Sequence, residues 1–267
     1  VPVFDRATIS INYQILGEGP RVLFFNGSGG SIEGSQLLIN ALAKTCQVLA
    51  HDQRGLGKTS VPNGPYTMAD YAQDAAELLD HVGWQTTNVI GLSFGGMVAQ
   101  EFAVTYPERV DRLVLMCTSA GGSAGSSYPL HKLAQLPQLP LSKRNQVLTL
   151  FTDTRFTNEW LASHPLDAEI MRFQEDRPNS EKTALQLQGE QLQLEARMVH
   201  DVADRLHLIT SPTLITAGRF DGIAPLANSQ AIAERIPNST LNVYEGGHPF
   251  LSQDRQAIRD IRTFLAS

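Results

Sequence analysis

The 267-residue sequence has only two cysteines, Cys46 and Cys117, and each lies beside an apolar run. Two such thiols do not make a secreted disulfide framework, and buried free thiols are the expectation. No apolar run approaches the eighteen or so residues of a membrane-spanning helix. Lysine and arginine (21) are outnumbered by aspartate and glutamate (27), for a net charge of −6. That balance gives neither nucleic acid nor an anionic membrane as a partner. V-P-V-F-D-R shows no basic segment leading into an apolar one, so no leader is read in these residues and a cytoplasmic location is expected. Metal-ligand spacings are missing too: no H-E-x-x-H and no Cys/His run, so no metal is implied. Phosphate cradles fail in the same way. Ile32 stands where G-x-G-x-x-G needs its last glycine, and Asp52 stands at the first glycine position of a P-loop ending in L-G-K-T. What remains is an ordinary globule, 42% hydrophobic and 18% charged.

Short apolar runs bounded by turn residues recur at Val22–Phe25, Val48–Ala50, Val89–Ile90, Leu113–Cys117, Leu214–Ala217 and Leu241–Tyr244. They do not alternate in polarity, which suits strands covered on both faces of a parallel sheet. Helical patterns lie between them. Thr67-Met68-Ala69-Asp70 opens one as a capping box, and Gly83 closes it. Another follows Ser93, with Phe94, Val98 and Phe102 four residues apart and Tyr106-Pro107 as its stop. Strand and helix in alternation predict an α/β sheet with helices on both faces.

Between about Gly121 and Leu208 the alternation stops. Helical patterns at Asn145–Phe151 and Thr183–Val199 follow a G-G-S-A-G-S-S opening, and no strand pattern intervenes. The expected organisation is a core of residues 1–120 and 209–267, with residues 121–208 inserted as a helical cap.

V-I-G-L-S-F-G-G sets one hydroxyl, Ser93, among Gly91, Gly95 and Gly96. Glycine weakens strands and helices, so three of them around one serine call for a tight backbone. G-x-S-x-G after a strand and before a helix is a nucleophile elbow, with the serine raised on a sharp turn and a helix N-terminus behind it. A serine hydroxyl needs a base, and the base an orienting acid. His248 in Y-E-G-G-H-P-F follows a strand on a Gly-Gly loop, whereas His51, His81, His131, His164, His200 and His207 lie on strands, on helices, or in or beside the insertion. Asp221, in T-A-G-R-F-D-G, follows the strand before that; Asp201 and Asp204 precede it. The order Ser, Asp, His is the one this scaffold uses. Oxyanion donors are expected from the N–H of Phe94 and from the N-G-S-G-G loop after Phe25, with Ser28 preferred over Gly29.

G-L-S-F-G-G, H-D-Q-R-G-L-G-K-T-S, Y-P-E-R-V-D-R-L-V-L, G-R-F-D-G-I-A-P and G-G-H-P-F, in this order, resemble the α/β-hydrolase superfamily. The likeness spans almost the whole chain and is nearest the branch of small esterases, enol-lactonases, haloperoxidase-like proteins and carbon–carbon hydrolases. It implies a mostly parallel central sheet flanked by helices with a helical cap, no cofactor, and Ser93, Asp221 and His248 as nucleophile, acid and base. It also implies a mainly structural D-x-R-G-x-G at Asp52 to Gly57. Dehalogenases and epoxide hydrolases of the superfamily carry aspartate at the elbow, and Ser93 argues against both. The branch commonly has His-Gly where this chain has Asn26-Gly27, so Asn26 either braces the oxyanion loop or reaches the substrate. The expected activity is serine-dependent hydrolysis of a small ester, lactone or related acyl substrate, of the carboxylic ester hydrolase type. The alternatives are carbon–carbon hydrolysis of a diketone and a triad-retaining ligand receptor. Candidate substrate contacts are Asn26, Gly29, Trp160, Ile223 and Phe250, with Phe151 and Phe156 as further aromatic wall residues. The oligomeric state is left open.

Overall fold

The fold follows from how the apolar strand runs of the sequence are buried. In a computed structural model, which describes residues 2–125, 151–175 and 183–267, eight strands form one sheet in the order β1-β2-β4-β3-β5-β6-β7-β8. The strands are β1 (Val3–Asp5), β2 (Ser10–Leu16), β3 (Arg21–Phe25), β4 (Gln47–His51), β5 (Thr87–Leu92), β6 (Val110–Met116), β7 (Thr213–Gly218) and β8 (Ser239–Tyr244). From β4 to β8 every neighbouring pair is parallel, and these strands contain all six apolar runs apart from Cys117, which follows β6. Both faces are covered, so β3 and β5 carry buried residues with no alternation. β1 and β2 are an addition to the expected architecture. They pair antiparallel at one edge of the sheet, with β1 outermost, and β2 carries polar residues between apolar ones while its burial runs from a buried Ile11–Tyr13 to an exposed Ile15 and Leu16.

The helices that place the site are α1 (Gln36–Leu42), α2 (Met68–His81) and α3 (Phe94–Thr105). The capping box at the start of α2 is complete: the Thr67 side chain accepts from Asp70 N–H, and Asp70 accepts from Thr67 N–H. Gly83 follows that helix at φ 71°, as a left-handed stop. α3 is buried almost all round because it runs under the sheet's centre, against α2 and β5.

Between β6 and β7 the described residues hold no named strand. They hold α4 (Asn158–Ser163), α5 (Pro165–Glu175) and α6 (Ala184–Met198), which begins at its own capping box on Thr183. The helical pattern at Asn145–Phe151 lies outside the described residues except for its last position. After β7 come α7 (Leu226–Ala233), α8 (Phe250–Gln253) and α9 (Arg255–Ala266). The cysteines are free and buried. No described helix is long and apolar enough to cross a membrane.

Candidate active site

Three strand ends bring the chemistry together. Ser93 sits between β5 and α3 at φ 54°, a left-handed conformation that costs an L-residue on the order of 1–3 kcal/mol. Its N–H donates to Met116 O, and its carbonyl accepts from Thr118 Oγ1 at 2.7 Å, so the turn is tied to the end of β6. The neighbouring glycines leave no room for a Cβ. At Gly95 it would meet the Phe25 carbonyl, and at Gly96 the Thr118 side chain. The hydroxyl is thus raised where strand and helix approach too closely for any larger residue.

His248 Nε2 lies 3.1 Å from Ser93 Oγ, and His248 Nδ1 lies 2.8 Å from Asp221 Oδ2. The other carboxylate oxygen, Oδ1, accepts from the N–H groups of Ile223 (2.7 Å) and Ala224 (2.8 Å), which fixes the plane of the acid. Burial pulls the His248 imidazole down. The Asp221 carboxylate, with Cys117 beside it, pulls the other way and wins, holding the ring well above its ordinary value of 6.5. The Asp221 side chain is fully buried and that of His248 is 20% exposed, so the pair is shielded at the acid and open at the base.

A segment invisible to motif reading holds both loops. Phe151 O accepts from Gly222 N–H, Thr154 N–H donates to Phe220 O, and Thr152 O accepts from His248 N–H at 2.6 Å. Next to them the fully buried Asp153 pairs with Arg155 and accepts from Gln253, whose Oε1 in turn accepts from Gly247 N–H. The residues from 151 to 155 therefore brace the acid loop and the base loop together.

The loop after β3 faces the elbow from the other side. Asn26 is fully engaged in bracing it: Oδ1 accepts from Gly27 N–H and Ser35 Oγ, and Nδ2 donates to Ser31 O. Gly29 N–H donates to Gln193 Oε1 on α6, and Gly30 N–H to Gly27 O. Among the described residues, Ser28 N–H is the one donor of Gly27–Gly30 with no acceptor assigned. Phe94 opens α3, so its N–H has no carbonyl one turn earlier in the helix. Arg197, also on α6, donates to Ser28 Oγ at 3.3 Å.

A cavity of about 210 Å³ opens on Ser93. Met97, Cys117, Thr118, Arg197, His200, Ile223 and Asn228 help to line it. Of the candidate substrate contacts, Ile223 lines this cavity. Asn26, Gly29, Trp160 and Phe250 are not among its lining residues. Trp160 stacks on His164 at 3.7 Å and donates to Asp167, because its ring finds polar and aromatic partners on α4 and α5. Phe250 is fully buried against Tyr244, their rings parallel at 5.4 Å, beneath β8. Asn26 and Gly29 are consumed by the loop bonds just described. Phe156 is buried, and Phe151 serves through its backbone carbonyl. Sequence reading missed Cys117, Gln193, Arg197 and His200. Their one signal is that Gln193 and Arg197 lie four residues apart on α6, with His200 two residues past its end. Arg54 lies away from the cavity; it pairs with Asp74 and covers the rings of Tyr66 and Tyr71.

Asp52 likewise serves structure. Its carboxylate gathers Ile32 N–H, Lys58 N–H and Asn12 Nδ2, closing D-x-R-G-x-G around itself. Among the described residues one set of metal-ligating side chains converges, Cys117 with Asp221 and His248.

The chain has relatives among known proteins. The chain is 32% identical over 240 residues to a poly(3-hydroxyalkanoate) depolymerase of Ectopseudomonas oleovorans, covering 90% of this chain and 82% of that one. To 3-oxoadipate enol-lactonase 2 of Acinetobacter baylyi it is 30% identical over 262 residues, covering 93% and 92%. To a 2-hydroxymuconate semialdehyde hydrolase of Pseudomonas putida it is 32% identical, covering 99% and 95%. The family model described as the alpha/beta hydrolase fold matches residues 20–254. By fold, motif order and match alike, this chain belongs to the α/β-hydrolase family.

Proposed function

We propose that this chain is a serine hydrolase that cleaves a small ester or lactone through an acyl-enzyme. One observation carries the reading: Ser93 Oγ, His248 and Asp221 form a continuous line of hydrogen-bond contacts, 3.1 Å and 2.8 Å long. His248 takes the hydroxyl proton as Ser93 attacks the carbonyl. Asp221 keeps the proton on Nδ1 and stabilises the imidazolium without accepting it. The N–H groups of Phe94 and Ser28 receive the developing oxyanion. Support for Ser28 over Gly29 is that Gln193 already holds the Gly29 N–H. The protonated His248 then releases the alcohol, and water activated by the same ring frees the acid. The cavity of about 210 Å³ favours a short acyl chain, and the likeness to an enol-lactonase and a hydroxyalkanoate depolymerase supports oxygen esters.

Hydrolysis of p-nitrophenyl acetate by the wild type and by Ser93→Ala tests this. Turnover in the first and its loss in the second is the expected result. Equal turnover in both would remove Ser93 from the chemistry. No turnover in either would favour carbon–carbon hydrolysis, the reading supported by similarity to a semialdehyde hydrolase along 99% of this chain.

A further inference from the structure

Positions 117, 221 and 248 share no sequence motif, yet the fold gathers a thiol, a carboxylate and an imidazole at three strand ends. One ligand atom from each lies within 4.8 Å of the other two. We infer that Cys117, Asp221 and His248 form a binding site for a borderline-soft divalent cation of the Zn²⁺ kind, which switches the active site off. Sulfur, nitrogen and oxygen together are the donor set Zn²⁺ takes. Tetrahedral Zn²⁺, with sulfur at about 2.3 Å and nitrogen or oxygen at about 2.0–2.1 Å, sets its ligand atoms about 3.6 Å apart. His248 Nδ1 and Asp221 Oδ2 stand 2.8 Å apart and must part by less than about 1 Å to hold an ion between them, and the thiol lies at most about 1.2 Å beyond the required spacing; rotation of the imidazole and the thiol, with Asp221 held in place, supplies both shifts.

Backbone geometry places the thiol. Cys117 directly follows β6 at φ 40°, one of only two non-glycine residues with positive φ among those described, the other being Ser93 directly after β5. These two left-handed residues close neighbouring strands of the sheet, and both line the same cavity, which gives an ion a way in. Asp221 is also prepared. Its Oδ1 is committed to the Ile223 and Ala224 N–H groups, so Oδ2 faces the imidazole or an ion. Ser93 Oγ or a water completes the fourth position.

Binding and hydrolysis exclude one another. A cation on His248 Nδ1 takes the place of the proton shared with Asp221. A cation on Nε2 takes the place of the contact with Ser93. In either case one link of the line is lost. That inhibition rests on the function proposed above; the binding itself does not.

The test is therefore spectroscopic first. Co²⁺ is titrated into Ser93→Ala protein, where turnover plays no part, and thiolate ligation is read as a sulfur-to-cobalt charge-transfer band in the near ultraviolet. The expected result is a band that saturates at one equivalent, is displaced by Zn²⁺, persists in Cys46→Ser and is lost in Cys117→Ser. In the ester assay, the Zn²⁺ inhibition constant of Cys117→Ser, taken against its own uninhibited rate, should rise at least about tenfold. No band in the folded protein, or a band unchanged by Cys117→Ser, overturns the site. X-ray absorption at the zinc edge of the loaded wild type needs no variant; a shell without sulfur overturns it equally.

Discussion

At the scale of the residue, the protein concentrates its unusual chemistry at strand ends. Ser93 takes a strained backbone conformation between closely packed neighbours, and its hydroxyl meets the His248 imidazole, whose partner Asp221 is held by two further N–H groups. Removing the hydroxyl by Ser93→Ala should lower kcat on the order of 10⁶-fold if the three residues act as a unit. Asp221→Asn should lower it on the order of 10⁴-fold, because the imidazole loses its correct tautomer. The pH profile carries a separate signature. In the proposed mechanism His248 must be neutral to take the proton, and its pKa is raised, so the acid limb of kcat/KM should lie above 6.5. The Asp221→Asn change should move the limb toward lower pH, since the main raising influence is gone. A limb at or below 6.5 in the wild type, unmoved by the substitution, would contradict this account of the site. The motif residues were legible because the elbow's chemistry demands these residue types in a fixed order. The aromatic wall was not. Whether a Trp or Phe faces a cavity or a core is decided by packing between distant elements, and Trp160 and Phe250 found partners at His164 and Tyr244 instead.

At the scale of the element, the central strands and the start of α2 could be read directly, because double-faced burial and capping both leave short-range patterns. Thr67→Ala should cost about 1 kcal/mol of stability in urea denaturation, the usual worth of such a cap, and leave kcat/KM unchanged. The β1–β2 edge escaped because its alternating pattern differs from the apolar runs that mark the rest of the sheet. The bonds tying α6 to the loop after β3 escaped for another reason: Gln193 and Gly29 are 164 residues apart, and nothing local links them. That bond makes its own prediction. Gln193→Leu should free the Gly29 N–H and loosen the loop, lowering kcat roughly 10- to 100-fold through a misplaced Ser28 donor. KM should change less than kcat, and the thermal midpoint should shift by only a few degrees. An unchanged kcat would take the loop's position out of α6's control.

At the scale of the whole molecule, the buried histidines set the response to acid. His51 and His200 are held neutral by burial, with pKa lowered to about 4. Between their unfolded value of about 6.5 and 4, the unfolded chain binds more protons than the native one, so stability falls as pH drops through that window. Each contributes a loss on the order of 3 kcal/mol by pH 4. His248 works in the opposite sense: its raised pKa adds stability that is present below 6.5 and is lost as pH rises through its native value. Urea midpoints at pH 7, 5.5 and 4.5 should therefore fall steeply, and His51→Gln should flatten the slope over that range. A slope identical in the variant would mean that His51 is protonated in the native state.

The central claim is that Ser93 carries the acyl group between substrate and water. Intact mass spectrometry after acid quench, within milliseconds of mixing with a short-chain p-nitrophenyl ester, tests it most directly. The account predicts one added acyl mass, mapped by peptide digestion to Ser93, in the wild type and none in Ser93→Ala. Turnover with no adduct on Ser93 in the wild type, or an equal adduct on another residue in both proteins, would contradict it.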